Sequence, residues 1–152
     1  MRSSLIKLGM TDQIKKFETS INTAAELASK EALEILISVI KSMSIDDAFA
    51  ILKGNENAAT QYLEKQTSSD LYVKFKPIIK SAITEVEVTK YWNALARRYN
   101  SLPLTKKINP DLEEYVTART IEGLFLLIAQ EEKNIRRNPQ ARVSALLQKV
   151  FN

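Results

Sequence analysis

Apolar residues recur along most of this chain at the spacing of one helix face. Near the start they fall three or four positions apart, at Ile14, Phe17 and Ile21, and a wide apolar stripe continues over residues 33–43. A repeat of about 3.6 residues is typical of an amphipathic helix. The phase of the stripe shifts near Ser29, so we expect the first long helix to bend or break there.

Capping residues predict where the following helices begin and end. Ser44 precedes two aspartates as a typical N-cap does, and Gly54 fits the left-handed residue that ends a helix. Thr67 and Ser68 precede another apolar stripe and predict a further helix start. Pro77 interrupts that stripe and should kink the helix, because proline lacks a backbone donor.

The middle of the chain contains a predicted helix break and a predicted loop. Residues 83–89 alternate β-branched side chains, but a lone strand has no partner, so we interpret this segment as a break between helices. Residues 100–110 contain two prolines and several polar residues. Such a composition predicts the longest loop and the most mobile segment of the chain.

A broad apolar face then predicts the central helix. Ile121 and Phe125 belong to a stripe over residues 117–137 that neighbouring apolar residues widen. Helices that are apolar over more than one face are usually buried. Asn138 and Pro139 form a cap followed by a first helical residue, which predicts the end of this helix and the start of the last one.

The composition agrees with a helical fold. With three glycines and four prolines in 152 residues, the chain has few of the turn residues that β-rich folds need. Its 45% hydrophobic and 26% charged residues are typical of a soluble globular protein. We therefore predict an all-α fold, with residues 1–152 forming a single compact domain of seven or eight helices and no sheet.

Two absent residue types restrict the possible chemistry. Without cysteine, the chain cannot form disulfides, thiol nucleophiles or cysteine-held zinc and iron–sulfur sites. Without histidine, it lacks a required member of the Ser-His-Asp triad, of the HExxH zinc site and of the His-bearing di-iron bundle. We expect no metal, no cofactor and no identifiable catalytic residue.

The positive charge of the protein comes from its second half. The net charge is +4, and residues 77–152 hold 12 basic against 8 acidic side chains. One alternative function is therefore weak binding to nucleic acid or another anionic surface, which would depend steeply on salt. This alternative would use Arg97, Arg98, Lys106 and Lys107. So small a surplus is also explained by solubility alone, and nucleic acid is not the expected partner.

Neither a membrane span nor a secretory signal is predicted from the residues. The longest apolar run, residues 124–129, is far shorter than the roughly 20 residues that cross a bilayer. The opening residues lack the continuous apolar core and the small-residue cleavage site of a signal peptide. The residues alone therefore allow two interpretations, a cytoplasmic protein or a chain whose signal has been removed, and composition does not decide between them.

Several polar and amphipathic side chains lie beside the predicted apolar faces and could line a cleft between helices. The candidate ligand-binding residues are Gln61, Tyr62, Lys76, Tyr115, Arg136 and Arg142. The alternative for the tyrosines is a core position with the hydroxyl bonded to a partner. The alternative for the arginines is a cap near the Asn138 junction with surface ion pairs.

Two glutamate doublets allow a second function, that of a carboxylate-dependent hydrolase. This enzyme would pair Glu113 or Glu114 with Glu131 or Glu132. Adjacent residues on a helix point about 100° apart, so neither doublet can supply both acids. The competing interpretation is a solvated face with helical ion pairs such as Glu132 with Arg136, and we prefer a non-enzymatic binding module.

Motifs spread over the chain indicate a family resemblance. They are DDA at 46–48, ILKG at 51–54, AATQY at 58–62, FKPI at 75–78, YVT at 115–117, IEGLF at 121–125, IAQEEKNIR at 128–136, NPQAR at 138–142 and LQKVF at 147–151. Together, and in this order, they resemble the bacterial domain-of-unknown-function family 4197.

The resemblance implies a helical protein of the bacterial envelope without an assigned activity. Family members usually carry an export signal or a lipoprotein leader, so the resemblance implies a periplasmic or envelope-associated location. It implies no catalytic residues. The function expected from the sequence is thus a ligand- or partner-binding module, with an unidentified small molecule or protein as its partner.

Overall fold

The computed structural model describes most of the chain, and most of that part is helical. The described residues are Ile6, 11–84, Trp92, Arg97, Asn100, Ser101, Pro103, 107–109 and 111–151. The elements are α1 (Thr11–Ser42), α2 (Ile45–Lys53), α3 (Ala58–Thr84), α4 (Leu112–Arg137), a 3-10 turn (Pro139–Ala141) and α5 (Ala145–Phe151). Within these residues the all-α prediction is confirmed, but there are five α-helices, fewer than the seven or eight predicted. Most of the predicted break and loop lies outside the described residues.

α1 is one continuous helix of 32 residues, so the predicted break near Ser29 is wrong. The Ser29 hydroxyl donates to the carbonyl of Ala25, four positions back, as serine does inside an intact helix. The apolar phase shifts because α1 has a second apolar face toward its C-terminus. Ala28 and Ala32 are buried, whereas Leu33 is 59% exposed on the other face.

α3 runs through both interruptions predicted for it. The buried Thr67 donates its hydroxyl to the carbonyl of Leu63 at 2.7 Å, and Ser68 bonds in the same way to the carbonyl four residues before it. Both are therefore residues of the helix interior and not N-caps. Pro77 lies on the exposed side, and the helix does not end there.

The two caps of α2 bring one confirmation and one correction. Ser44 is the N-cap: its hydroxyl accepts the amide of Asp47 at 3.1 Å, and the Asp47 carboxylate accepts the amide of Ser44. Gly54 follows the helix with φ of −76°, so it is not left-handed. A Cβ at Gly54 would lie 2.6 Å from the Cβ of Ala58 and 2.9 Å from the carbonyl oxygen of Ala50. Close packing is therefore what requires glycine.

α4 is longer than predicted at its start and ends where predicted. Asp111 is its N-cap and accepts the amide of Glu114 at 3.1 Å, so the helix begins at Leu112. Asn138 ends it, and the Asn138 side chain accepts the amide of Gln140. The next element is the 3-10 turn, and only then does α5 follow.

The central helix is α3, not α4 as the sequence predicts. α1 and α4 both pack along α3 and touch each other only slightly. One core cluster joins Ala24, Ile79, Ile83, Trp92, Leu112 and Val116; the other joins Ala28, Ala32, Leu71, Phe75, Ile121 and Phe125. Because α3 supplies residues to the middle of both clusters, α1 and α4 are held apart and an open groove remains between them.

Several large apolar side chains stay exposed at the ends of this bundle. α2 contains no buried residue, and Ile45 is 76% and Phe49 55% exposed. Leu146 of α5 is exposed as well. Among the described helices, none combines the length and the apolar content that crossing a bilayer requires.

Candidate functional site

The structure separates the six predicted ligand-binding residues into two groups. Gln61 and Tyr62 lie at the start of α3, close to the end of α4 that carries Arg136, since α3 and α4 are antiparallel. Arg142 lies just beyond that end of α4. Tyr115 is near the other end of α4, and Lys76 lies in the second half of α3. The six residues therefore do not line one cleft.

Glu132 and Arg136 form a partly buried pair that joins three helices. The Glu132 carboxylate accepts the amides of Ala59 and Thr60 at 3.0 and 2.8 Å, and the Thr60 hydroxyl at 2.7 Å. Arg136 donates to Glu132 at 2.8 Å and to the carbonyl of Ile51 at 2.8 Å. The pair thus caps the start of α3 and the end of α2, where free backbone groups need partners.

The electrostatics of Glu132 agree with this structural role. Burial raises the pKa of its carboxyl, but the bonds from Ala59, Thr60 and Arg136 outweigh burial and hold the pKa below its ordinary value. A carboxyl that stays ionised in this way is a poor general acid near neutral pH. The sequence indicated the pair with Arg136 but missed the cap, because α3 is distant along the chain.

Arg142 also has a structural role. It is buried, its Nε donates to the carbonyl of Ile135 at 3.1 Å, and its Nη2 donates to the carbonyl of Arg136 at 3.1 Å. These bonds cap the last turn of α4. The guanidinium carbons of Arg136 and Arg142 lie 5.5 and 5.9 Å from the ring centroid of Phe151, which holds α5 against this end.

The two predicted residues at the start of α3 differ in environment. Gln61 is exposed. Tyr62 is half-buried and faces Asp47 of α2; burial raises the pKa of its hydroxyl, and the nearby Asp47 carboxylate raises it further. This supports the interpretation of Tyr62 as a packing residue with a bonded hydroxyl.

The remaining two predicted residues also have partners within the protein. The Lys76 ammonium lies 5.4 Å from the ring centroid of Tyr72, and the bond to the Tyr72 hydroxyl raises the pKa of the lysine. Tyr115 packs on Trp92, with ring centroids 5.1 Å apart. Trp92 is buried.

The carboxylate pair required by the hydrolase alternative does not form within the chain. Both glutamate doublets lie on α4, which is one continuous helix. At 1.5 Å per residue, Glu114 and Glu131 are about 26 Å apart along its axis. The doublets cannot meet, because they share a rigid element instead of facing each other across two.

The basic residues of the nucleic-acid alternative are only partly described. Arg97 and Lys107 are exposed. Arg98 and Lys106 lie outside the described residues. The alternative therefore stays a prediction.

A groove of about 600 Å³ lies between α1 and α4, and the sequence analysis did not predict it. α1 contributes Ile21, Asn22, Ala25 and Ser29, and α4 contributes residues between Tyr115 and Leu127, including Val116, Arg119, Leu124 and Leu126. We call it the α1–α4 groove. Its walls are mostly apolar although the groove is open to solvent, which is typical of binding surfaces.

Gly123 lies in the middle of this groove and has nothing packed over it. A Cβ added there would meet no atom within 4 Å outside its own helix. Glycine inside a helix costs about 1 kcal/mol relative to alanine. Neither a left-handed backbone nor a close neighbour requires it here. Its effect is to leave open space in the groove. A glycine in the middle of a predicted helix is the feature of the sequence that could have indicated such a groove.

Two further cavities adjoin the groove along α4. The Lys107 hollow, about 460 Å³, shares Tyr115 and Arg119 with the groove and also contains Lys107 and Glu114. The α5 cavity, about 450 Å³, shares Leu127 with it. Its other walls include Ile51, Ile128, Ile135, Leu147 and Phe151.

A larger hollow of about 780 Å³ lies between α1 and α3. Lys15, Lys16 and several hydroxyl side chains line it beside apolar residues such as Ile78. Because these walls are more polar and contain no open helix position like Gly123, the α1–α4 groove is the better candidate site.

Comparison with known proteins gives one match. A family model described as protein of unknown function (DUF4197) matches residues 1–152, the whole chain. No curated protein matches the chain, and no solved structure does. The function must therefore be inferred from the geometry of the chain itself.

Proposed function

Since the chain belongs to the family of proteins of unknown function DUF4197, we propose a function from its geometry: a non-enzymatic module that binds an elongated apolar ligand in the α1–α4 groove. The observation that carries the proposal is the open space over Gly123 between two apolar walls. Pockets between helices are common ligand sites.

The packing of the bundle supports this site. α1 and α4 are both held by α3, so the groove does not need to close for the core to be complete. Ala25 and Ser29 on the α1 side are small, as is Gly123 on the α4 side, which leaves depth for a narrow chain. Burial of apolar ligand surface would then supply about 25 cal/mol per Å².

The polar residues that attract attention in the sequence support a binding module over an enzyme. Glu132, Arg136 and Arg142 bond to backbone groups of neighbouring elements. Side chains that are held in this way stabilise the scaffold. Among the described residues, the groove is left with one charged wall residue, Arg119.

A substitution that fills the groove tests the proposal directly. Gly123→Phe adds a ring where the structure has open space, while Gln130→Phe adds the same ring to an exposed position of α4 outside the groove. The neutral fluorescent probe N-phenylnaphthylamine should bind the wild type and Gln130→Phe, and Gly123→Phe should bind it at least about tenfold more weakly. Equal binding by Gly123→Phe, or no binding by the wild type, would overturn the proposal.

The location that we propose with this function is the bacterial envelope, as the family resemblance implies. Cell fractionation of the full-length gene product in its native host provides the test. Recovery with periplasmic or membrane fractions would support the location, and recovery with the cytoplasm alone would contradict it.

A further inference from the structure

The ends of the α1–α4 groove differ in polarity. At one end the groove meets the Lys107 hollow, and Arg119 lines both. Arg119 is the one charged residue among the groove walls in the described part of the chain. The Lys107 hollow adds the ammonium of Lys107 and the carboxylate of Glu114.

The other end of the groove continues as apolar surface. Leu127 leads into the α5 cavity, whose accessible wall is mostly apolar, with Ile135 and Phe151 among its residues, although Glu131, Glu132 and Arg136 also border it. From Arg119 to Ile135 the axis of α4 rises about 24 Å, at 1.5 Å per residue. The charged end and the apolar end are thus separated by the length of a long-chain acyl group.

The charges at the polar end favour a monoanion. Arg119 donates through Nη1 to Glu122, and its guanidinium lies 5.5 Å from the ring centroid of Tyr115. The guanidinium has five N–H donors, so Arg119 keeps donors beyond the one that Glu122 accepts. Arg119 and Lys107 supply two cationic side chains at this end, and Glu114 and Glu122 supply two carboxylates, so a doubly charged phosphate would meet more repulsion than a singly charged carboxylate.

From this arrangement we infer that the natural ligand is a long-chain carboxylate. The carboxylate binds at Arg119 beside the Lys107 hollow, and the acyl chain lies over Gly123 and continues past Leu127 toward Phe151. The inference rests on the proposed function, because it names the class of ligand for the same groove.

Two ligands of equal chain length test the polar end. Palmitate and hexadecanol have chains of the same length and differ in the head group, so each is titrated, at concentrations where it stays dissolved, against protein loaded with N-phenylnaphthylamine. Palmitate should displace the probe at a concentration about fivefold lower than hexadecanol, the factor expected for a solvent-exposed ion pair.

Matched charge variants assign the effect to Arg119. Arg119→Gln should remove the preference for palmitate and leave hexadecanol unchanged. Lys65→Gln, which removes the same charge from an exposed position of α3 outside the three cavities, should leave both ligands unchanged. Thermal unfolding of each variant shows that the fold is intact.

The outcomes separate this inference from the proposed function. If hexadecanol and palmitate displace the probe equally, or if hexadecyl phosphate binds more tightly than palmitate, the carboxylate assignment fails while the groove remains a binding site. If neither compound displaces the probe, although the probe binds the wild type and not Gly123→Phe, the assignment of an acyl ligand is wrong and the groove remains a binding site. If the wild type does not bind the probe, both fail.

Discussion

The carboxylate of Glu132 accepts both the backbone amide and the hydroxyl of Thr60, at 2.8 and 2.7 Å. A helix N-terminus presents unpaired amides and a partial positive charge, and it is usually capped by the residue just before it. In this protein the cap comes from 72 residues away. The start of α3 is therefore stabilised only when α4 is in place.

We predict that Glu132→Gln lowers the free energy of unfolding by about 2 kcal/mol, because it removes the charge from the hydrogen bonds of a partly buried pair and leaves Arg136 without its partner charge. Urea denaturation measures the change. Glu131→Gln, at the exposed neighbouring position, should change it by less than about 0.5 kcal/mol. Equal effects of the two substitutions would contradict the cap.

The Glu132 carboxylate makes the free energy of unfolding depend on pH in the acidic range. The pKa of Glu132 is lowered from its ordinary value of 4.5 in the folded protein, so the unfolded chain takes up its proton first as the pH falls. The stabilisation is complete above that ordinary value and is lost as the pH falls toward the folded pKa. The stability difference between the wild type and Glu132→Gln should therefore be larger at about pH 6 than at about pH 3.5. A constant difference would contradict this.

The packing of α4 against α3 predicts that alanine substitutions at two neighbouring residues of α4 lower the free energy of unfolding by different amounts. Phe125 is buried in the core cluster that contains Phe75, whereas Leu124 is only partly buried and lines the groove. Phe125→Ala should cost about 3 to 5 kcal/mol of unfolding free energy, and Leu124→Ala clearly less, about 1 to 2. Chemical denaturation of both variants checks the order, and a larger cost for Leu124→Ala would show that the groove is closed in solution.

Two glycines should respond oppositely to the same substitution. Gly54→Ala places a Cβ against Ala58 and the backbone of Ala50, so we expect destabilisation by about 1 to 3 kcal/mol. Gly123→Ala meets open space and gains helix propensity, so we expect stabilisation by up to about 1 kcal/mol. Melting temperatures of the two variants should move in opposite directions.

The exposed apolar face of α2 should contribute little to the stability of the bundle. Phe49 is 55% exposed, and the ammonium of Lys53 lies 5.8 Å from its ring centroid. Phe49→Ser is expected to change the free energy of unfolding by less than about 1 kcal/mol. A loss comparable to that of Phe125→Ala would mean that α2 packs with this face inward.

Local interactions explain what could be predicted from the sequence. The all-α class follows from apolar spacing and the scarcity of glycine and proline. The capping box of Ser44 and Asp47 and the end of α4 at Asn138 are also set by residues within one turn of each other. The helix start predicted at Thr67 was wrong because a hydroxyl inside a helix can bond to the carbonyl four positions back. The break predicted near Ser29 was wrong because a second apolar face of α1, and not a break, shifts the apolar phase.

The candidate site could not be predicted from the sequence, because it depends on contacts between residues that are distant along the chain. Glu132 and Arg136 were recognised as a helical pair, but their backbone partners belong to α3 and α2. The groove over Gly123 exists because α3, and not α4, is the central helix, so that α1 and α4 are held apart. The sequence alone determined the all-α class and the absence of cysteine and histidine chemistry. The tertiary structure decided which polar groups are used by the scaffold and where a surface stays open, because both depend on how distant helices pack.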